Sequence, residues 1–260
     1  MMILSQGGSN KKGCEVFWLS FFFYLCIICN AFSLGIIFCS EVCAETYTGV
    51  ININNGQKGA DCTEGNGIKK EEKREAETFH EINISGAFAL NIKCGQKQTI
   101  ILSGDKNILP LVKTEVKNGV LTLHAPGALC MKQPVIITLT SASIENIVSS
   151  GANEINMRCD SLDSALTLLL NGSSELTFLG SLQSITARLE GAAELDTRGG
   201  KIMQASIDAG SASKALVDVY DKLRAISSDA SRIYYKDHPG LVVEKTSTEA
   251  GTVARLSRMD

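Results

Sequence analysis

Three glutamates hold one place in three similar phrases: Gly151-Ala152-Asn153-Glu154-Ile155, Gly172-Ser173-Ser174-Glu175-Leu176 and Gly191-Ala192-Ala193-Glu194-Leu195. Carboxylates gathered at one structural position could hold Ca²⁺, which takes clustered oxygen ligands. They could equally form a solvated charged face, the ordinary place for Asp and Glu. The next two phrases put Lys214 and Arg232 at that position. Two counter-charges at the end of the row favour the solvated face, so no metal site is assigned. Asp160, Asp163, Asp196, Asp208, Asp218 and Asp221 offer further carboxylates. Acid–base chemistry on a sugar needs two of them facing one bond, and these fall at scattered places in the phrases. His80, His124 and His238 lie in no HExxH context, and Gly199-Gly200-Lys201 lacks the upstream glycines of a phosphate loop. These histidines read as strand-edge or loop residues. The sequence therefore assigns no catalytic residue, no cofactor and no metal, and the chain reads as non-enzymatic.

Four cysteines follow residue 44: Cys62, Cys94, Cys130 and Cys159. None forms a CxxC pair, which excludes the compact zinc and redox motifs. An oxidising compartment would allow disulfides in any of three full pairings. Cys94 and Cys159 share parity with apolar neighbours such as Ile92, Ile155 and Met157. That parity reads them as small core hydrophobes. The net charge of −3 excludes a general electrostatic grip on nucleic acid. Trp18 and most of the aromatic residues precede residue 45, which leaves little to build a sugar-stacking cleft.

The elements that must position these residues are strands. From Phe79 onward apolar and polar residues alternate, as in Ile82 and Ile84, then Phe88, Leu90 and Ile92. A period of two marks half-buried strands. Asn118-Gly119 between two short apolar runs is a hairpin signal. No segment of 79–255 carries a helical period over three turns. The second half repeats. Aligned on Asn153, Ser174, Ala193, Ser213 and Ser231, the phrases step by 21, 19, 20 and 18 residues. Ala250-Gly251-Thr252-Val253 could be one more copy, and Gly86-Ala87-Phe88-Ala89-Leu90 an earlier one. A period near 20 with strands and no helix predicts an all-β parallel β-helix, or solenoid, with a hairpin-rich N-terminal section. Ile155, Leu176, Leu195, Ala215 and Ile233 would form an inward ladder, with the glycines at one sharp corner. Tyr234-Tyr235 would cap the last coils with an aromatic stack or form a small contact patch, the cap being favoured because open solenoid ends must be covered.

The opening Phe79-His80-Glu81-Ile82-Asn83-Ile84-Ser85-Gly86-Ala87-Phe88 resembles that of the bacterial head GIN domain family. So do Leu102-Ser103-Gly104-Asp105-Lys106-Asn107-Ile108-Leu109 and corners such as Ser150-Gly151-Ala152. Members of that family are described as auto-transporter adhesins. The resemblance covers about 79–255 and implies an exported β-helix without a catalytic residue.

Lys11 and Lys12 precede an uncharged apolar stretch, 16–39, and Val42 and Ala44 make a signal-peptidase site before Glu45. The stretch is also long enough to span a bilayer. Residues 1–44 are thus either a cleaved signal peptide or a signal anchor, and both place the body outside the cytoplasmic membrane. Residues 45–78 read as a polar linker, 79–255 as the domain, and 256–260 as a C-terminal tail. The function expected is that of an extracytoplasmic, adhesin-like binding or structural module. Its partner would be a surface ligand: a glycan, an envelope component or a protein. Any membrane contact would be through the N-terminal segment, if uncleaved. The alternative is a carbohydrate-active β-helix enzyme, a lyase or hydrolase.

Overall fold

Alternation of apolar and polar residues runs through nearly every strand, and it decides which side of each strand is buried. The computed structural model describes residues 62–256, without the side chains of 161–163. The export segment 1–44, residues 45–61 of the expected linker and residues 257–260 of the tail lie outside the described residues. The fold is all-β. In chain order the strands are β1 (Cys62–Glu64), β2 (Lys69–Arg74), β3 (Glu81–Gly86), β4 (Phe88–Cys94), β5 (Thr99–Asp105) and β6 (Lys113–Lys117). Then come β7 (Val120–His124), β8 (Ala128–Cys130), β9 (Val135–Ser141), β10 (Asn146–Gly151), β11 (Glu154–Leu170) and β12 (Glu175–Leu189). The last six are β13 (Glu194–Ala209), β14 (Lys214–Val217), β15 (Val219–Ser227), β16 (Arg232–Tyr235), β17 (Val242–Ser247) and β18 (Thr252–Arg255).

The repeated phrases pair in parallel and in register. Ile155 lies beside Leu176, then Leu195, Ala215, Ile233 and Val253 follow in one column. Every member is buried. A second column runs Ile147, Leu168, Ala187, Ile207 and Ala225. The earlier copy is in register too. Gly86 pairs with Gly151 and Leu90 with Ile155, although 65 residues separate them in sequence. Between these copies the chain inserts β5 to β9. Here β6 and β7 form the expected hairpin, and both Asn118 and Gly119 have positive φ (53° and 78°), as a type I′ turn demands.

The corner is built by backbone contact. Gly151, Gly172 and Gly191 all have positive φ. A Cβ on Gly172 would sit 2.6 Å from the Gly151 carbonyl oxygen, and one on Gly191 2.7 Å from that of Gly172. Any other residue would push adjacent strands apart. In the fourth copy Ser211, not Gly210, takes the left-handed position, with φ 58°, and Asp229 takes it in the fifth, with φ 55°. Two residues on, the buried side chains of Asn153, Ser174 and Ser213 bond back to the turn, while Ser231 Oγ donates to Ala209 O on β13 at 2.8 Å. The Asn153 amide donates to Ser150 O (2.8 Å), Ser174 Oγ to Asn171 O (3.0 Å), and Ser213 Oγ to Gly210 O (2.7 Å). Carbonyls that the turn leaves without a strand partner are satisfied this way.

Two expectations need correction. The segment read as a solvated linker contains β1 and β2. The latter, carrying most of the Lys69–Glu75 charge run, pairs antiparallel with β5. Alternating charges suit an exposed edge strand, which charge protects from further pairing. Cys94 and Cys159 are not free core thiols. They are bonded to each other, and Cys62 to Cys130.

Candidate binding face

In one face of the parallel stack, outward side chains line up across the strands in three adjacent rows. The first runs Ile136, Ala89, Glu154, Glu175, Glu194, Lys214 and Arg232. It brings the three glutamates together as the spacing predicted. Glu154 and Glu175 are exposed, and Glu194 is half-buried under Lys214, whose Nζ lies 2.9 Å from Glu194 Oε1. The second row is Thr138, Asn91, Asn156 and Thr177, uncharged amides and hydroxyls. The third is Thr140, Lys93, Arg158 and Leu179. The second row, with Lys93, Arg158 and Leu179 of the third, lines a shallow depression of about 360 Å³. Leu179 bounds it, 44 % exposed, leaning over Gly199, where a β-carbon would collide with it.

Beyond Thr177 the second row continues with Asp196. Partial burial works against its charged form, but side-chain and backbone hydrogen bonds with Arg198 outweigh that. The pKa of Asp196 therefore falls below its ordinary value.

A larger concavity than this depression lies elsewhere, a groove of about 740 Å³ between the inserted section and the repeats. The Cys94–Cys159 disulfide, Glu145, Asp160, Gln96 and Thr167 line it. A neighbouring hollow of about 310 Å³ shares Gln96 and Glu145 and adds His80. Both mix polar and apolar lining residues.

A third cluster is absent from the sequence reading. Asp218 is 3 % exposed, at the junction of β14 and β15. Its carboxylate contacts His238 Nε2 and accepts a hydrogen bond from Lys236 Nζ at 3.1 Å. Its backbone N–H donates to Thr197 Oγ1 at 3.3 Å. The His238 ring stacks on Tyr220, centroids 4.0 Å apart. His238 is thus no ordinary loop residue but one partner of a buried carboxylate. The Asp218 hydrogen bond and charge hold Lys236 above its ordinary pKa. Asp218 is buried under its partners, so the cluster ties β13, the β14–β15 junction and the segment after β16 together. His80 is half-exposed near Glu81, and His124 half-buried at the end of β7. Among the described residues no group of three or more His, Cys, Asp or Glu side chains could hold a metal ion.

A family model described as "putative auto-transporter adhesin, head GIN domain" matches residues 78–239. The chain belongs to the head GIN domain family. Among solved structures, one described as a "putative adhesin" from Bacteroides fragilis is 15 % identical, with a TM-score of 0.60. The match covers 74 % of this chain and 99 % of that one. A "putative adhesin" from Parabacteroides merdae is 18 % identical with a TM-score of 0.49, covering 76 % of this chain and 100 % of that one. A "putative lipid binding protein" from Parabacteroides distasonis is 15 % identical with a TM-score of 0.47, covering 76 % and 100 %. At such identities the Bacteroides likeness speaks for the head GIN fold alone. No curated protein matches the sequence.

Proposed function

We propose that this protein acts outside the cytoplasmic membrane as a non-enzymatic, adhesin-like binding or structural module. In this reading the parallel stack is a β-solenoid with coils of about 20 residues, and its ligand is a surface glycan, envelope component or protein. One observation carries the reading: outward side chains keep register across successive strands and form long rows on one face. Such a face binds by many weak contacts summed along its length, and it gains affinity by repetition. Two disulfides support an oxidising compartment and hence export. Among the described residues no helix is long and apolar enough to cross a membrane.

The test is a glycan and envelope-component array probed with the purified protein, together with a fusion of residues 1–60 to a reporter active only in the periplasm. Saturable binding and an active fusion are expected. Release of new reducing ends from a bound polysaccharide, abolished by Glu145→Gln or Asp160→Asn in the wide groove, would replace the binding module with an enzyme. A silent fusion with an active cytoplasmic counterpart would overturn the location.

A further inference from the structure

We infer that the depression lined by Lys93, Arg158, Asn91 and Asn156 binds an acidic polysaccharide. The inference rests on the binding-module reading and names its ligand class. Lys93 and Arg158 are direct register partners on β4 and β11, both exposed. Parallel neighbours stand about 4.8 Å apart, and like charges placed opposite one another destabilise a sheet. Neither has an ion-pair partner among the described residues. Asp160, two residues past Arg158, makes no ion pair with either. Glu154, on the same strand and face as Arg158, is four residues away, about 13 Å at the rise of a strand. It is engaged by Asn156, whose Nδ2 donates to Glu154 Oε1 at 3.2 Å. Lys93 and Arg158 thus stand side by side without an ion-pair partner among the described residues, beside a row of amides and hydroxyls.

An anion placed over Lys93 and Arg158 removes their repulsion, and a guanidinium suits carboxylate and sulfate oxygens in two-point contact. The neighbouring row of Thr138, Asn91, Asn156 and Thr177 supplies donors and acceptors in an uncharged strip one strand spacing apart. A pyranose unit in a linear chain repeats at nearly the same distance, so successive sugar hydroxyls can meet successive strands. The depression lacks an aromatic side chain on which a nucleic acid base could stack. Leu179 at its end offers an apolar edge for a sugar ring face.

The experiment uses the full chain, purified in its disulfide-bonded form, with polygalacturonate, dextran sulfate, neutral dextran and poly-L-glutamate as probes. Interferometry gives the affinities at fixed salt. Saturable binding to polygalacturonate or dextran sulfate is expected, with dextran and poly-L-glutamate at least tenfold weaker. The stronger polyanion tells carboxylate from sulfate preference. Lys93→Ala with Arg158→Ala should weaken binding at least tenfold without lowering the melting temperature. Arg224→Ala, which removes an exposed cation from another row, should change it less than twofold. Equal loss in Arg224→Ala would reduce the effect to net charge and overturn the site. Tight poly-L-glutamate binding would overturn the glycan assignment, and absence of polyanion binding would overturn both. Should the double variant still bind array ligands like the wild type, the site falls while the binding module stands. Should the wild type bind nothing at all, both fall.

Discussion

Glu175 lies in register between Glu154 and Glu194, and only Glu194 has a cationic partner in Lys214. Like charges directly opposite on neighbouring strands cost a few tenths of a kcal/mol each when solvated. Replacing Glu175 by Gln removes both repulsions, so the variant should be slightly more stable. The gain should shrink at high salt, where exposed charges are screened. About 1 mM Ca²⁺ should leave the wild-type melting temperature unchanged, because a ligand stabilises only by binding the folded state. A saturable rise that Glu175→Gln abolishes would make the row a metal site after all. The alignment of these glutamates was legible because they sit in recognisable phrases at a fixed offset from a glycine. The Asp218 cluster was not. Asp218 and Lys236 each stand five residues after the phrase serines Ser213 and Ser231, but they lie past the ends of β14 and β16, and Thr197 and His238 do not share that offset, so nothing in the phrases marked the four as a group. Cys94 and Cys159 misled for a related reason. Inward parity is equally consistent with a core thiol and a disulfide, and only their proximity in the fold distinguishes the two.

At the level of the elements, two inward columns end on a charge. Lys245 pairs with Ala225 at the end of one, and Arg255 with Tyr235 at the end of another. Arg255 also meets Asp237 at 3.1 Å, and Tyr235 and Asp237 together hold its pKa above the ordinary value. Both β17 and β18 leave one edge unpaired among the described strands. An unpaired edge is a template for another chain, and an inward-register charge prevents a further strand from continuing the apolar core. Lys245→Val with Arg255→Val should therefore cause concentration-dependent self-association in sedimentation velocity. A double variant that stays monomeric at every concentration would show that these cations do not guard the edge. The repeat period located the columns correctly, because each phrase places one apolar residue at a constant offset. It did not locate their end. Tyr234-Tyr235 looked like an aromatic cap, but adjacent strand residues face opposite sides. Tyr235 is buried and Tyr234 points outward, so the aromatic contribution is a single ring beneath a guanidinium.

Across the described molecule the two disulfides join what the sequence separates. Cys94 on β4 meets Cys159 on β11, 65 residues away, and Cys62 on β1 meets Cys130 on β8, 68 residues away. The β3–β4 copy is in register with the repeats, but the β5 to β9 insertion stands between them in the chain. Cys94 and Cys159 each stand eight residues after the corner glycine of their copy, Gly86 and Gly151, but the insertion interrupts the 20-residue step between the copies, so the shared offset alone did not show that β4 and β11 are neighbours. Closing a loop of this length in the unfolded chain lowers its entropy, a stabilisation of about 4 kcal/mol per bond in the chain-entropy model. Loops this long are where the model predicts the most. The two bonds do different work, however. Cys62–Cys130 ties a two-stranded sheet of β1 and β8 that is separate from the main sheet, whereas Cys94–Cys159 joins two strands already paired by five register positions. Loss of the first should free β1 and β8 while the stacked columns persist. Cys62→Ala with Cys130→Ala should thus speed amide exchange in β1 and β8 and leave exchange in β11 to β13 nearly unchanged. Cys94→Ala with Cys159→Ala removes a cross-link from within the cooperative stack. It should lower the melting temperature by several degrees and speed exchange in β4 and β11 together. Equal exchange profiles for the two double variants would show that the stack and the small sheet unfold as one unit.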